Sequence, residues 1–178
     1  MRTVVLRVVA LSLLLLLALA GTLAVRTMQR LPDTVLYLVR DAGTTFTLER
    51  VYRRTRARTD DPEARARHAL AALAVGPTEE EAARGLGSEV PPDIVVRAVR
   101  LRDGVLEVDL DRSFAAGGGS ASMLGRLHQV TWTLTQSSGI ERLALYLDGE
   151  PLRVLGGEGV MVAHPWTRPT GDAAVPVW

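Results

Sequence analysis

The chain contains no cysteine, no lysine and no asparagine. Without cysteine it has no disulfide bonds, no thiolate metal sites, no cysteine nucleophile and no lipidated cysteine. Without lysine it lacks the groups needed for a P-loop, a Schiff base or a Ser-Lys dyad. Its basic residues are therefore all arginine, and the formal net charge is +1. This balance does not indicate a nucleic acid or another polyanionic partner.

The sequence also lacks a recognisable catalytic motif. There is no GxSxG pattern, and the three histidines, His68, His128 and His164, do not have HExxH or similar spacing. We therefore predict no catalytic, cofactor-binding or metal-binding residues, no small-molecule substrate and no enzymatic activity.

One acidic row leaves an alternative open. Glu107, Asp109 and Asp111 alternate with apolar residues along one predicted strand, so their carboxylates would share its exposed face. Such a row could serve a cell-wall or cation-dependent hydrolase that uses Asp109 and Asp111. A half-buried strand also needs a polar face for structural reasons alone, and we favour that interpretation.

The longest apolar run lies at the N-terminus. Residues 8–25 are uncharged and mostly apolar, and Arg7 and Arg26 flank them. A helix of this length would extend roughly 27 Å, close to the thickness of a bilayer core. We predict that residues 1–26 form a single transmembrane anchor in the cytoplasmic membrane; the alternative is a signal peptide cleaved near Ala20. Either interpretation places the remainder outside the cytoplasm, after a linker at residues 27–33.

Turn and capping signals divide the rest of the chain into short elements. Asp-Gly pairs at 103–104 and 148–149 each predict a tight hairpin turn. Helix starts are predicted at Asp61-Pro62-Glu63, at the Thr78/Glu81 capping box and at Ser120. Predicted strands occupy residues 35–40, 46–55, 94–101, 105–110, 140–147, 152–155 and 160–163, and the two main helices run to about residues 75 and 137. We expect an α+β fold, with a small mixed or antiparallel sheet, two main helices on one face and ββα-ββ-αββ order, preceded by the transmembrane helix.

Two features suggest a candidate interaction surface. Arginines cluster at the end of the second strand, at positions 50, 53, 54, 56 and 58. Such a cluster could bind anionic envelope polymers or lipid headgroups, or it could be a solvated strand end. Trp132 lies off the apolar stripe of its helix, where it could be an exposed interface residue or could pack against a neighbouring loop. We select Trp132, Arg54, Arg56 and Arg58.

Several short motifs together resemble the GerMN domain, the sporulation and spore germination domain. They are Ala69-Leu70 with Leu73 and Gly76-Pro77, then Asp103-Gly104-Val105, Val108-Asp109-Leu110 and Phe114, then Leu127, Gln129, Val130, Thr133, Leu134 and Thr135, and finally Asp148-Gly149. Their order and spacing agree over residues 35–169. The chain departs from many members of the family because it lacks a lipobox cysteine, and from some because it has one domain instead of two.

The resemblance implies a compact α+β domain tethered to the outer face of the bacterial cytoplasmic membrane. It also implies a non-enzymatic module for assembly or binding, with a fold similar to small ring-building domains. We therefore predict a GerMN-like domain at residues 34–164, followed by an irregular tail at 165–178. Its predicted partners are proteins of the cell envelope or further copies of itself, with the membrane contacted through residues 8–25.

Overall fold

The computed structural model describes residues 13–22, 34–41, 46–54, 60–136, 139–156 and 159–168. The chain divides into two compact units, Met1–Pro32 and Asp33–Trp178. In the first unit, residues 13–22 are helical and their leucines are exposed. Among the described residues, no helix is both long enough and apolar enough to cross a membrane. Residues 8–12 and 23–25 of the predicted anchor, and the linker at 27–33, lie outside the described residues.

The second unit alternates short strands with three α-helices. Its strands are β1 (Thr34–Asp41), β2 (Phe46–Arg53), β3 (Leu86–Gly87), β4 (Val96–Arg102), β5 (Val105–Leu110), β6 (Arg142–Leu147), β7 (Glu150–Pro151), β8 (Val154–Leu155), β9 (Val160–Met161) and β10 (Trp166–Thr167). Its helices are α1 (Pro62–Val75), α2 (Glu79–Ala83) and α3 (Ser120–Leu134), and a 3-10 helix spans Arg112–Ala115.

The α+β class is confirmed, but the strands form three sheets instead of the single one expected. The first sheet has the order β2-β1-β3, the second has the order β10-β6-β5-β4 with β7 beside β6, and β8 pairs with β9. Strands β5 and β6 are parallel, so the second sheet is mixed. Turn signals identify hairpins well, but they do not specify which hairpins join into one sheet, because that depends on contacts distant in sequence.

The first and second sheets and the two main helices, α1 and α3, contribute to one apolar core. It includes Leu36 and Leu38 of β1, Leu70 and Leu73 of α1, and a larger set of buried residues that contains Leu106, Val108, Leu127, Val130, Leu143 and Leu145. Helix α1 contacts β1 and β4, and α3 contacts β1 and β9. Each main helix therefore packs against strands of two different sheets. The predicted arrangement, with both helices on one face of a single sheet, is not the one observed.

The central hairpin has the predicted turn. Asp103 and Gly104 have φ angles of 48° and 74°, as a type I′ turn requires. The β5 residues Leu106, Val108 and Leu110 are fully buried, whereas Glu107 and Asp109 lie on the opposite, partly exposed face. The second Asp-Gly pair, Asp148 and Gly149, also has positive φ angles and connects β6 to β7.

The helix starts are confirmed in two of the three places. The Asp61 carboxylate accepts hydrogen bonds from the amides of Glu63 and Ala64, and Pro62 occupies the first turn of α1. Thr78 and Glu81 form the reciprocal capping box of α2. Ser120 does not cap α3, because the helix already begins at Ser120 and Gly119 occupies the N-cap position.

The predicted C-terminal tail begins later than expected. Trp166 and Thr167 pair with Leu143 and Arg142 of β6, so the chain remains part of the second sheet beyond Pro165. A strand of two residues is too short to show a periodic pattern, so the sequence did not predict a strand at Trp166 and Thr167. Residues 169–178 lie outside the described residues.

Candidate interaction surface

Strand β1 has hydrogen-bonding partners on both of its edges. On one side it pairs with β2 over its whole length; on the other, β3 pairs only with Val39 and Arg40. Beyond β3, side chains of α3 and of the residues after it replace the missing strand. The Thr133 hydroxyl accepts a hydrogen bond from the Tyr37 amide at 3.1 Å, and the Gln136 amide donates to the Val35 carbonyl at 3.2 Å. These side chains protect this edge of β1 from further strand pairing.

Among the described residues, no strand pairs with the outer edge of β2; one side-chain hydrogen bond reaches it, from Arg53 Nη1 to the Tyr52 carbonyl at 3.3 Å. Because the Tyr37 amide and the Val35 carbonyl point away from β2, the pairs Tyr37–Arg50 and Val35–Tyr52 are non-hydrogen-bonded pairs. In such pairs the backbone groups of both residues point away from each other. Backbone groups of successive residues in β2 point alternately toward β1 and away from it. Four residues of β2 therefore direct their amides and carbonyls away from β1: Phe46, Leu48, Arg50 and Tyr52.

The predicted arginine cluster divides into residues with different roles. Arg53 binds the Glu81 carboxylate and donates to the Gly76 carbonyl at 3.4 Å, so it joins β2 to the start of α2. This pairing, together with the Thr78 contacts, lowers the pKa of Glu81. Arg50 and Arg54 are exposed, and no carboxylate of the described residues pairs with them.

Arg50 also stacks on the exposed ring of Tyr52, with its guanidinium carbon 5.5 Å from the ring centre. Two of the selected residues, Arg56 and Arg58, lie outside the described residues. The described part of the cluster is thus an exposed, arginine-bearing strand edge.

The structure buries Trp132, with 8% of its surface exposed, and so favours packing over an exposed position. Its ring packs against Tyr37, with ring centres 5.4 Å apart, and the guanidinium of Arg168 lies 4.5 Å from its centre. Arg168 also donates to the Trp132 carbonyl and to the Thr135 hydroxyl. Trp132 and Arg54 therefore do not form one continuous exposed patch.

The acidic row of β5 is split between two environments. Glu107 and Asp109 line a groove of about 330 Å³ on the outer face of the second sheet, together with Ala98, Arg100, Tyr146 and Gly149. The Asp109 carboxylate accepts a hydrogen bond from the Gly149 amide at 3.0 Å and thereby supports the second Asp-Gly turn.

Asp111 does not line this groove. Its carboxylate accepts hydrogen bonds from the Val95 amide and the Ser113 hydroxyl, both at 2.8 Å, and caps the 3-10 helix. The Val95 hydrogen bond is the main reason that the pKa of Asp111 is lowered. The hydrolase alternative required Asp109 and Asp111 in one pocket, and the structure does not bring them together there.

The three histidines are also separated, and no group of three potential metal ligands occurs among the described residues. His68 is exposed on α1. His128 is buried in α3, and its Nδ1 atom has no hydrogen-bond partner among the described residues; burial lowers the pKa of His128. His164 packs edge-on against Tyr146, with ring centres 4.9 Å apart, and burial and Arg153 lower its pKa.

The sequence did not predict the polar contacts of α3. Arg126, 4% exposed, donates from Nε to the Glu89 carbonyl at 2.7 Å and from Nη1 to the carbonyls of Phe114 and Ala116. Gln129, fully buried, accepts from the Glu89 amide and donates to the Ser88 hydroxyl. Polar side chains of α3 thus bind the 88–89 and 114–116 segments.

Comparisons with known proteins agree with this architecture. The family model Germane, described as sporulation and spore germination, matches residues 35–153. The first GerMN domain of the sporulation protein GerM from Bacillus subtilis is 25% identical, with a TM-score of 0.59 over 76% of this chain and 96% of that one. No significant match was found among curated proteins.

Two further solved structures share the fold. The tandem GerMN domains of GerM are 19% identical, with a TM-score of 0.58; the alignment covers 80% of this chain but only 46% of the tandem structure. A Clostridium perfringens protein named as a lipoprotein is 17% identical, with a TM-score of 0.54 over 77% of this chain and 89% of that one. The match to residues 35–153 spans more than half of the chain, which therefore belongs to the Germane (GerMN) family of sporulation and spore germination domains.

Proposed function

We propose that this chain is a non-enzymatic assembly module, tethered to the cytoplasmic membrane with its domain on the outer side. It joins envelope proteins, or further copies of itself, by pairing a strand with the outer edge of β2. The observation that carries this proposal is the outward-facing backbone of Phe46, Leu48, Arg50 and Tyr52, with which no described strand pairs. An exposed strand edge is a template for strand addition, in which the backbone supplies affinity and the side chains supply specificity.

Charge favours an acidic partner strand over a second copy of β2. Two β2 strands paired with each other would bring the unpaired guanidinium groups of Arg50 and Arg54 close to their counterparts. Like charges directly opposite each other destabilise strand pairs. A strand carrying Asp or Glu would instead face Arg50 and Arg54 with complementary charge, because neither has an acidic partner among the described residues.

The test uses the full chain in lipid nanodiscs and a soluble extended probe, Ac-Glu-Val-Glu-Val-Glu-Val-NH2. We expect slower amide hydrogen exchange at residues 46–52 when the probe binds, and no such protection from the matched Lys-Val peptide. Arg50→Glu with Arg54→Glu should abolish the protection, whereas Arg67→Glu, on the exposed side of α1, should not. Equal protection by both peptides, or none by either, would exclude an acidic strand partner.

Anion binding is a second candidate, because Arg50 and Arg54 are exposed and no carboxylate of the described part of the chain pairs with them. In that case a polyphosphate probe should bind the full chain in a salt-sensitive manner, and the double charge reversal should remove this binding. Polyphosphate would bind without slowing hydrogen exchange of the β2 amides, since a phosphate polymer cannot pair with a strand. Backbone protection thus distinguishes the two candidates.

A further inference from the structure

A cavity of about 370 Å³ lies between the start of β1, the first half of α1, the end of α3 and the residues that follow it. Its walls include buried side chains of the core, namely Ala66, Ala69, Thr133, Leu134 and Ile140. Thr34, Val35, Pro62, Arg65 and Gln136, with lower burial, complete the lining. Its size is at the lower end of the range for small-ligand sites.

Arg65 gives this cavity its charge. Among the described residues, the buried Nε atom of Arg65 has no hydrogen-bond partner, and its guanidinium forms no ion pair with a carboxylate. The lining contains no acidic residue. A buried donor without a partner is costly, since it has lost its water without a replacement. The cavity therefore combines an apolar floor with a guanidinium that no described carboxylate neutralises.

The polar side chains at one wall of the cavity already form hydrogen bonds within the protein. The Gln136 amide nitrogen donates to the carbonyls of Val35 and Thr133, both at 3.2 Å. The Thr133 hydroxyl accepts from the Tyr37 amide. These bonds fix the side chains at one wall, which leaves Arg65 as the charged group available to a ligand.

We propose that this cavity binds a carboxylate carried on a short aliphatic group. The carboxylate would accept hydrogen bonds from Arg65, and the aliphatic group would cover Ala66, Ala69 and Leu134. An arginine fork matches the two oxygens of a carboxylate, and burial away from water strengthens such a pair. Two sources share this chemistry, a short free fatty acid and the C-terminal residue of a peptide. The cavity shares no residue with the outer edge of β2, so its test is independent of the proposed function.

The experiment measures binding to the full chain in lipid nanodiscs by saturation-transfer NMR, with empty nanodiscs as the blank. Hexanoate represents the fatty acid and N-acetyl-leucine the peptide C-terminus; hexanamide and N-acetyl-leucinamide are their uncharged counterparts. We expect at least one carboxylate to bind about tenfold or more tightly than its amide, because hydrogen bonds to a charged group are stronger than those to a neutral one. Whichever carboxylate binds identifies the source.

Two variants locate the site. Arg65→Gln should weaken carboxylate binding about tenfold or more, whereas Arg67→Gln, exposed on the same helix, should leave it unchanged. Ala69→Leu should remove binding by filling the floor while Arg65 remains, with circular dichroism to verify folding. The proposal is overturned if neither carboxylate binds, if the amides bind equally well, or if Arg65→Gln and Arg67→Gln have the same effect.

Discussion

Individual polar residues decide how α3 fits into the core. Arg126, Gln129 and Thr131 are buried, and each is hydrogen-bonded to a backbone group or a side chain. His128 differs, because its Nδ1 atom is buried without a partner among the described residues. A neutral imidazole tolerates this position far better than a charged one, since burial penalises the charged form.

His128 should make the domain sensitive to acid. Burial lowers its pKa in the folded state, so below its ordinary pKa of about 6.5 the unfolded chain binds the proton more readily. His128 therefore does not reduce the free energy of unfolding above about pH 6.5. Below that pH, the free energy of unfolding falls as the pH drops toward the lowered pKa of His128. His128→Gln should reduce the decrease in Tm between pH 7 and pH 5, measured by circular dichroism.

The matched control is His68→Gln. Because His68 is exposed on α1, this substitution should leave the dependence of Tm on pH unchanged. His164 contributes in the same direction as His128, because its pKa is also lowered, so part of the decrease should persist in His128→Gln. Identical profiles for the wild-type chain and His128→Gln would show that His128 does not cause acid sensitivity.

At the scale of elements, α3 replaces a missing strand beside β1. The Tyr37 amide would be left without a partner in Thr133→Val, and an unsatisfied buried donor costs about 1–3 kcal/mol. We expect the free energy of unfolding to fall by that amount in urea denaturation. Thr131→Val is the control, because the Thr131 hydroxyl only adds a second bond to the Leu127 carbonyl within the helix. If Thr133→Val and Thr131→Val lowered the free energy of unfolding equally, the hydrogen bond between Thr133 and the Tyr37 amide would have no special role.

The central hairpin depends on its glycine. Gly104 has a φ of 74°, and a Cβ there would also lie 3.5 Å from the Glu141 side chain. Gly104→Ala should lower the free energy of unfolding by about 1–2 kcal/mol, the cost of the left-handed conformation for other residues. Gly87→Ala is the control, since Gly87 lacks a positive φ and its nearest neighbour would be 3.9 Å away. Urea denaturation of both variants tests whether strain at the turn, and not loss of a glycine as such, sets the cost.

At the scale of the whole molecule, the proposal of a tethered outer domain predicts where the chain is found. The full chain should sediment with membranes, resist extraction by high salt, and expose its domain to protease added to spheroplasts. Mass spectrometry of the isolated protein then separates the two N-terminal alternatives. An intact N-terminus identifies an anchor, a start near residue 21 identifies cleavage, and a protease-resistant domain in intact spheroplasts contradicts the outer location.

Much of the fold was predictable because its signals are local. The Asp103-Gly104 turn, the Asp61 cap and the Thr78/Glu81 capping box each depend on residues within four positions of one another, and all three are present. The candidate surface was less predictable. The arginine cluster gave the correct strand end, but it did not show that Arg53 pairs with Glu81 or that Trp132 is buried.

The sequence by itself determined the family, the class of fold, the turns and the helix starts, since these depend on motif order and on short-range backbone chemistry. Only the tertiary structure decided that the strands separate into three sheets, that α3 covers one edge of β1, and that no described strand pairs with the outer edge of β2. It likewise placed Arg65 at a cavity formed by three elements distant in sequence. These arrangements depend on which apolar faces pack together, and local patterns do not encode that choice.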